Sequence, residues 1–254
     1  MLFLVQQVRK DDPMYIDQEI LKDLIRNSHH KYEEVWLTEF YFEGEPLTKS
    51  CFPEAYQKAI PLGTIEFVNT CLKTFHGVEM KPIEVPEVLR TQEFLKRDYS
   101  IKSYADIPNS GKWFIKDASI IKGLKHVGNR ENMASLGDEL NEEHVYQVSE
   151  MINIKSEYRV YFVNGKLYTL ANYDGDPTLF PDIGLINKAN YLYSQTKDYP
   201  GSYTMDVAIT DKGTCIVECH VLFSCGLYTT VLGTNFLNGY IETMKFVLNN
   251  HQKN

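Results

Sequence analysis

The first part of the chain alternates between strand-like and helix-like hydrophobic patterns. Residues 2–8 form an apolar run of strand length, and a second strand is predicted at residues 35–40. Between them, apolar residues recur at the spacing of one helix face. These residues are Ile16, Ile20, Leu21, Leu24 and Ile25. A further helix is predicted to begin after Gly63 and Thr64, so the pattern indicates a small α/β domain over residues 1–90.

The rest of the chain, residues 91–254, is richer in strand patterns. After a short helix at residues 91–97, a strand is predicted at residues 113–116. Asn164 and Gly165 separate two alternating runs, and both residues tolerate the positive φ of a type I′ hairpin turn. The chain closes with a helical pattern whose apolar face contains Phe236, Leu237, Tyr240, Ile241, Met244 and Leu248. This part is therefore predicted to be α+β and sheet-rich.

A second predicted hairpin places two acidic residues face to face. With a loop of three residues at 211–213, Asp206 lies directly opposite Glu218. Strand parity then puts His220 on the same face as both carboxylates. The other face is apolar and is predicted to contain Met205, Val207, Ile209, Cys215, Val217 and Cys219.

Opposed carboxylates destabilise a sheet unless positive charge compensates them, because their Cβ atoms lie only about 5 Å apart. We favour a divalent cation, since carboxylate oxygens with waters and phosphates are typical of a Mg²⁺ site. Two alternatives stay open. A loop of two or four residues would shift the register and leave each carboxylate solvated. Paired carboxylates also serve glycoside hydrolysis.

Basic residues on two segments suit a phosphate ligand. Lys116 ends an apolar strand and Lys122 lies beside a glycine, although both side chains could simply extend to water. In the first hairpin, alternation predicts that Arg159 faces outward with Glu157 and Tyr161, either in a surface ion pair or bound to phosphate. The motifs GxxxxGK[ST] and GxGxxG are absent, which disfavours Walker-type and Rossmann nucleotide sites.

Composition narrows the function classes. The 254 residues carry a net charge of −8, which excludes a polycation that coats nucleic acid. The five cysteines are an odd number at irregular spacings, so we expect a reducing, cytoplasmic setting without a disulfide scaffold. The apolar start lacks a basic segment, so no signal peptide is expected. Residues 220–241 contain no Asp, Glu, Lys or Arg, but their glycines and asparagines favour a strand, a turn and a helix over a membrane span.

Taken in order, these segments resemble the ATP-grasp superfamily. The matching features are Lys116 and Lys122, Gln147-Val-Ser-Glu-Met-Ile, Glu157-Tyr-Arg-Val followed by Asn-Gly-Lys, Met205-Asp-Val, and Ile216-Val-Glu-Cys-His. They cover residues 111–228, and the N-terminal α/β part is compatible with a pre-ATP-grasp domain. The resemblance implies two α+β lobes, at about residues 91–152 and 153–254, that clamp ATP between them.

The resemblance also implies roles for single residues. The implied nucleotide-binding residues are Lys116, Lys122, Gln147, Glu150, Met151, Glu157 and Arg159. Among them, the two lysines contact phosphates, the Glu150–Met151 segment reads adenine, and Glu157 binds the ribose hydroxyls. Arg159 faces the phosphates or the transferred group, and Lys122 and Arg159 are the implied catalytic pair.

The implied metal ligands are Asp206, Glu218 and His220. Here the sequence departs from the family, whose last metal strand usually reads Glu-x-Asn rather than Glu-Cys-His. An imidazole is a softer ligand than an amide oxygen. His220 therefore either admits Mn²⁺ as well as Mg²⁺, binds substrate instead, or signals altered chemistry.

The implied function is an ATP- and Mg²⁺-dependent ligase that joins a carboxylate to an amine or thiol through an acyl phosphate. Its substrate would be a small molecule or peptide that carries a carboxylate. Nucleic acid is a less favoured partner because of the net charge. Two other functions stay open: an ATP-dependent enzyme of RNA repair or phage conflict, and a nucleotide-binding module without catalysis.

Overall fold

The computed structural model describes residues 1–229 and 232–251. Its strands are β1 (Leu2–Gln6), β2 (Lys31–Val35), β3 (Tyr41–Phe42), β4 (Glu45–Pro46), β5 (Ile60–Leu62), β6 (Tyr99–Ser103), β7 (Trp113–Asp117), β8 (Lys125–Gly128), β9 (Val145–Glu150), β10 (Ile154–Val163), β11 (Lys166–Gly175), β12 (Tyr203–Thr210) and β13 (Gly213–Val221). Its α-helices are α1 (Tyr15–Arg26), α2 (Ile65–His76), α3 (Gln92–Leu95), α4 (Arg130–Met133), α5 (Ile183–Ser194) and α6 (Leu237–His251).

The N-terminal sheet is parallel, with the strand order β2-β1-β5. Apolar residues of α1 and α2 pack with Phe3 and Val5 of its central strand. Helix α2 begins where the sequence predicts, because the Thr64 hydroxyl accepts a hydrogen bond from the Phe67 N–H and so caps the helix. The predicted α/β arrangement of this part is confirmed.

The predicted strand at residues 35–40 is wrong. The strand ends at Val35, and residues 37–40 form a 3-10 turn. The Glu39 carboxylate accepts a hydrogen bond from the Trp36 N–H at 2.8 Å, and the Glu39 N–H donates to the Trp36 carbonyl at 3.0 Å. These reciprocal bonds satisfy the backbone locally, so the segment does not need a strand partner.

The middle sheet is antiparallel, with the strand order β6-β9-β7-β8. The predicted strand at residues 113–116 is confirmed as β7. Within the sheet, Lys116 lies between Gln147 of β9 and Lys125 of β8. Ile115 and Tyr146 are fully buried in the core of this sheet, which holds β7 in place beneath the site.

The C-terminal sheet is also antiparallel, with the strand order β11-β10-β12-β13. Asn164 and Gly165 join β10 to β11 with φ of 50° and 77°, as the type I′ turn requires. The predicted Asn-Gly hairpin is therefore confirmed. One face of the sheet packs against α5 and the segment that contains Leu89 and Phe94.

The second hairpin reaches the predicted pairing by a different route. Thr210 pairs with Gly213, so the loop has two residues instead of three. An extra residue then enters β13, because Val207 pairs with Ile216 while Asp206 pairs with Glu218. This β-bulge at Val217 restores the register that the shorter loop would have lost.

The bulge changes which residues of β13 face the core. Ile216 packs there with Val207 and Cys219. The sequence prediction that Cys215 and Val217 share that core face is wrong, because the alternation it assumed breaks at the extra residue. The predicted placement of Met205 and Val207 in this core is confirmed.

The outward prediction for Tyr161 is also wrong. Tyr161 is fully buried, and its ring packs edge-on against Phe236 at 5.8 Å. It belongs to the same apolar core as Phe3 and Val5 of the N-terminal sheet and Tyr240 of α6. The face of β10 that looks solvent-exposed in the sequence is covered at this end by other parts of the chain, so alternation alone misassigned it.

The uncharged stretch at residues 220–241 contains the end of β13, two 3-10 turns and the start of α6, as the sequence favoured. Its residues 230 and 231 lie outside the described part. In the described residues, no helix combines the length and apolar character that a membrane crossing needs.

Candidate active site

The three predicted metal ligands lie together at one end of the C-terminal sheet. Asp206, Glu218 and His220 each offer one ligand atom, and these atoms lie within 4.8 Å of one another. His220 Nε2 lies 2.9 Å from Glu218 Oε1 and 3.9 Å from Asp206 Oδ2. Asp206 is buried, whereas Glu218 and His220 are partly exposed, so the cluster opens to solvent from the β13 side.

An arginine already compensates the buried carboxylate. Arg159 Nε donates to Asp206 Oδ1 and Arg159 Nη2 donates to Asp206 Oδ2, both at 2.8 Å. The two residues are direct cross-strand neighbours on β10 and β12, and both are at least nine-tenths buried. The inference that only a divalent cation makes the opposed carboxylates tolerable is therefore wrong, because this bidentate ion pair supplies positive charge from the protein itself.

Two tyrosines hold the arginine from its other side. The guanidinium carbon of Arg159 lies 5.7 Å from the ring centre of Tyr173 and 4.9 Å from that of Tyr228. The two rings stack on each other at 4.9 Å. Cation–π contacts of this kind restrict the guanidinium plane, so Arg159 is held in one orientation over the cluster.

A lysine from the middle sheet reaches the cluster. Lys116 Nζ donates to Glu218 Oε2 at 2.7 Å, which joins β7 to β13 across 102 positions of sequence. Burial lowers the pKa of Lys116, but the charge and hydrogen bond of Glu218 outweigh burial and raise it above its ordinary value. Lys116 therefore stays charged at the junction of the two sheets.

Glu218 stays ionised for the complementary reason. Burial raises the pKa of its carboxyl, but the hydrogen bond and charge of His220 and the contact with Lys116 together hold that pKa well below its ordinary value of 4.5. A carboxylate that is charged and partly buried is suited to bind a cation.

Acidification is expected to weaken the contribution of Glu218 to stability. Because its pKa is lower in the folded than in the unfolded protein, the contribution is complete above about pH 4.5 and is lost as the pH falls through the folded pKa. The difference in unfolding free energy between the wild type and Glu218→Gln should be largest near about pH 7 and should shrink by about pH 3.5 in urea titrations. A difference that is independent of pH would contradict this account of the carboxylate.

The cluster fits a divalent cation as well as the basic residues it already contacts. Two carboxylates and an imidazole form a donor set that suits Mg²⁺ or Mn²⁺. Each carboxylate oxygen can accept more than one contact, so a cation can share Asp206 with Arg159 and share Glu218 with Lys116.

The predicted phosphate-binding lysines border one cavity. A cavity of about 110 Å³ is lined by both Lys116 and Lys122, together with Lys125, Glu218 and His220. Lys122 has a φ of 58° in the loop between β7 and β8, and its Nζ lies 3.3 Å from the Glu66 carboxylate of α2. The structure thus places three lysines around the open side of the cluster.

The other predicted nucleotide contacts lie along β9 and β10. Gln147 is buried beside Lys116. Glu150 ends β9, where its Oε2 accepts a hydrogen bond from the Asp98 N–H at 3.0 Å, and Met151 follows in the exposed connection to β10. These last two residues lie where the chain crosses from the middle sheet to the C-terminal sheet, so Glu150 and Met151 are not part of the charged cluster itself.

Glu157 lies close to the cluster on β10. Burial raises the pKa of its carboxyl above the ordinary value, a hydrogen bond with Tyr173 opposes this, and the charge of Asp206 adds to the increase. Glu157 thus shares Tyr173 with Arg159 and belongs to the same polar surface, as strand parity predicts.

Sequence reasoning missed the residues that orient this cluster. Tyr228 lies in the uncharged stretch, and Tyr173 lies in a predicted loop, so neither carried a motif. Arg97 was also missed, although it is buried and contacts β13. A buried arginine has no local sequence signal, because its partners are backbone carbonyls from a distant strand.

Solved structures share the whole fold at low identity. The D-alanine–D-alanine ligase from Bacillus anthracis aligns with a TM-score of 0.56 and 11% identity, over 98% of this chain and 99% of that chain. The D-cycloserine synthetase DcsG aligns with a TM-score of 0.54 and 8% identity, over 98% and 100%. A RimK domain ATP-grasp protein from Sphaerobacter thermophilus aligns with a TM-score of 0.50 and 12% identity, over 98% and 100%. These similarities show the fold alone.

The sequence itself matches a family model. No curated protein sequence matches this chain, but the model of an ATP-grasp domain, the second family of its clade, matches residues 94–234. This interval is more than half of the chain, and it contains the cluster, the three lysines and the β9–β10 connection. The chain therefore belongs to this family of ATP-grasp domains.

Proposed function

We propose that this protein is an ATP-dependent ligase that activates a substrate carboxylate as an acyl phosphate and joins it to an amine or thiol. The observation that carries the proposal is the contact of Lys116 with Glu218, which joins the middle and C-terminal sheets beside the Arg159–Asp206 pair. The family assignment supports ATP as the cosubstrate, and the cavity beside these residues supports a site for its phosphates.

The chain's basic residues would stabilise the transferring phosphoryl group. Lys116 and Lys122 border the same cavity, where their charges can neutralise phosphate oxygens. Arg159 retains N–H groups beyond the two that bind Asp206, and its fixed guanidinium would contact the γ-phosphate or the acyl phosphate. Preorganised charge of this kind is the main contribution of a protein to phosphoryl transfer.

The nucleoside would lie along β9 and β10. We assign Gln147, Glu150 and Met151 to the adenine side because they lie on β9 and in the connection that follows it. We assign Glu157 to the ribose hydroxyls, because it lies on the next strand, two residues from Arg159. A carboxylate is a suitable acceptor for hydroxyl donors.

Asp206, Glu218 and His220 would hold Mg²⁺ or Mn²⁺. Such a cation, when bound, neutralises negative charge on the nucleotide phosphates. Arg159 keeps both oxygens of Asp206 in place, and Lys116 and His220 do the same for Glu218. The protein thus orients the ligands before the cation arrives.

The proposed reaction has two steps. A carboxylate oxygen of the substrate bonds to the γ-phosphorus while the bond from that phosphorus to the β–γ bridging oxygen breaks, which releases ADP. The nitrogen or sulfur of the second substrate then bonds to the acyl carbon, phosphate leaves, and the nucleophile loses a proton. The first substrate is a peptide, an amino acid or a small acid.

Nucleotide binding tests the proposal first. ATP with Mg²⁺ should raise the melting temperature of the wild type, since a ligand at about 100 times its dissociation constant stabilises the folded state by about 2.7 kcal/mol. ATP without the metal should have a smaller effect. ADP release on adding pooled amino acids and small acids, but not on adding RNA, would assign the substrate class.

Lys188→Met is a matched control for these measurements. Lys188 is a surface lysine that pairs with Glu93, so its loss should change neither the melting shift nor ADP release. A wild-type melting temperature that ignores saturating ATP and Mg²⁺ would refute the proposed function.

A further inference from the structure

The bulge in β13 decides which residue faces Asp206. The hairpin loop pairs Thr210 with Gly213, and counting back along a regular ladder from that pair would place Val217 opposite Asp206. The extra residue moves Glu218 into that position. Without the bulge, the carboxylate would point to the opposite face of the sheet.

One buried arginine holds the bulge from outside the sheet. Arg97 Nη1 donates to the Ile216 carbonyl at 2.8 Å, and Arg97 Nη2 donates to the Val217 carbonyl at 3.1 Å. In a regular strand, successive carbonyls point to opposite edges. Both carbonyls can reach one guanidinium at the free edge of β13 because the bulge turns them the same way.

The placement of Arg97 is costly unless these carbonyls compensate it. The residue is 4% exposed, and burial lowers the pKa of its guanidinium. A third hydrogen bond goes to the Leu95 carbonyl at 3.1 Å, and the ring centre of Tyr99 lies 6.0 Å away. These contacts anchor Arg97 in the segment between α3 and β6, so it ties that segment to the metal-binding strand.

We infer that Arg97 is a positioning residue that holds the β13 bulge and thereby brings Glu218, rather than Val217, opposite Asp206. The inference rests on the proposed function, because it gives the bulge a purpose only if the cluster binds a cation. Its distinctive consequence is that Arg97 becomes dispensable once the bulge is removed.

Mn²⁺ binding measured by electron paramagnetic resonance, with ADP present, tests the inference without requiring turnover. Arg97→Met should weaken Mn²⁺ binding about tenfold or more, as loss of a residue that orients metal ligands does. Arg90→Met is the matched control. Arg90 also lies beside Tyr99, at 5.6 Å, but its Nε donates to the Val85 carbonyl, away from β13, so its loss should leave Mn²⁺ binding unchanged.

Deletion of Val217 separates positioning from general support. The deletion makes the ladder regular while Asp206 still pairs with Glu218 and Val207 with Ile216. This variant should bind Mn²⁺ like the wild type, and adding Arg97→Met to it should cause no further loss. If Arg97→Met alone fails to fold, the double variant carries the test and should fold and bind Mn²⁺.

Each other outcome has a definite meaning. Wild-type Mn²⁺ affinity in folded Arg97→Met would overturn the inference alone. Loss of Mn²⁺ binding or of folding in the double variant would also overturn it, because Arg97 would then act independently of the bulge. A wild type that binds no Mn²⁺ with ADP would instead overturn the proposed function, and the inference with it.

Discussion

Replacing Asp206 with asparagine is expected to abolish Mg²⁺-dependent ATP turnover and to lower the free energy of unfolding by about 3 kcal/mol. The substitution removes one charge of a buried bidentate pair and leaves the Arg159 guanidinium without its partner. Breaking a buried ion pair from one side is costly because the remaining charge stays desolvated. Urea unfolding near neutral pH measures the stability, and ADP release measures the turnover.

The matched control is Asp211→Asn in the turn of the same hairpin. Asp211 is exposed and pairs with Lys155 and Asn153, so its loss should change neither stability nor turnover appreciably. Turnover should be assayed at a temperature where Asp206→Asn is still folded. Full turnover by the folded variant would show that Asp206 is not needed for metal or phosphate chemistry.

Replacing Lys116 with methionine is expected to weaken ATP binding about 100-fold, because a hydrogen bond to a charged group contributes up to about 3 kcal/mol. Methionine keeps the length and apolar character of the lysine stem but removes the ammonium that faces the cavity. The substitution also removes one of the groups that keep the pKa of Glu218 low. Calorimetric titration with ATP and Mg²⁺ measures the affinity.

Lys188→Met again serves as the control, because it removes a surface lysine with an acidic partner far from the cavity in sequence and in contacts. ATP affinity should be unchanged in this variant. If Lys116→Met bound ATP as tightly as the wild type, Lys116 would be a structural partner of Glu218 only, and the phosphate-binding assignment would be wrong.

Local patterns predicted those elements whose signals are local. The apolar spacing in α1, the capping threonine of α2 and the Asn164–Gly165 turn each depend on residues within one element, so the sequence predicted them. Helix α5 was missed, although Asp182 caps it by accepting a hydrogen bond from the Leu185 N–H. Its weakly patterned sequence and the preceding loop concealed it.

The candidate site was predicted in part. The family motifs brought attention to Asp206, Glu218 and His220, and the structure does place these side chains together. Their pairing was derived with a loop one residue too long and without the bulge at Val217. The two errors cancel, because one extra residue in the loop and one extra residue in the strand shift the register equally.

The sequence by itself determined the elements, the face on which each strand residue lies outside the bulge, and the family to which those strands belong. Only the tertiary structure decided how the charges are compensated: Arg159 pairs with Asp206, Lys116 crosses from another sheet to Glu218, and Arg97 holds the bulge. The physical reason is range. Periodicity and turn chemistry act over a few residues, whereas these contacts join groups 47 to 119 positions apart, and they exist only once the sheets have packed.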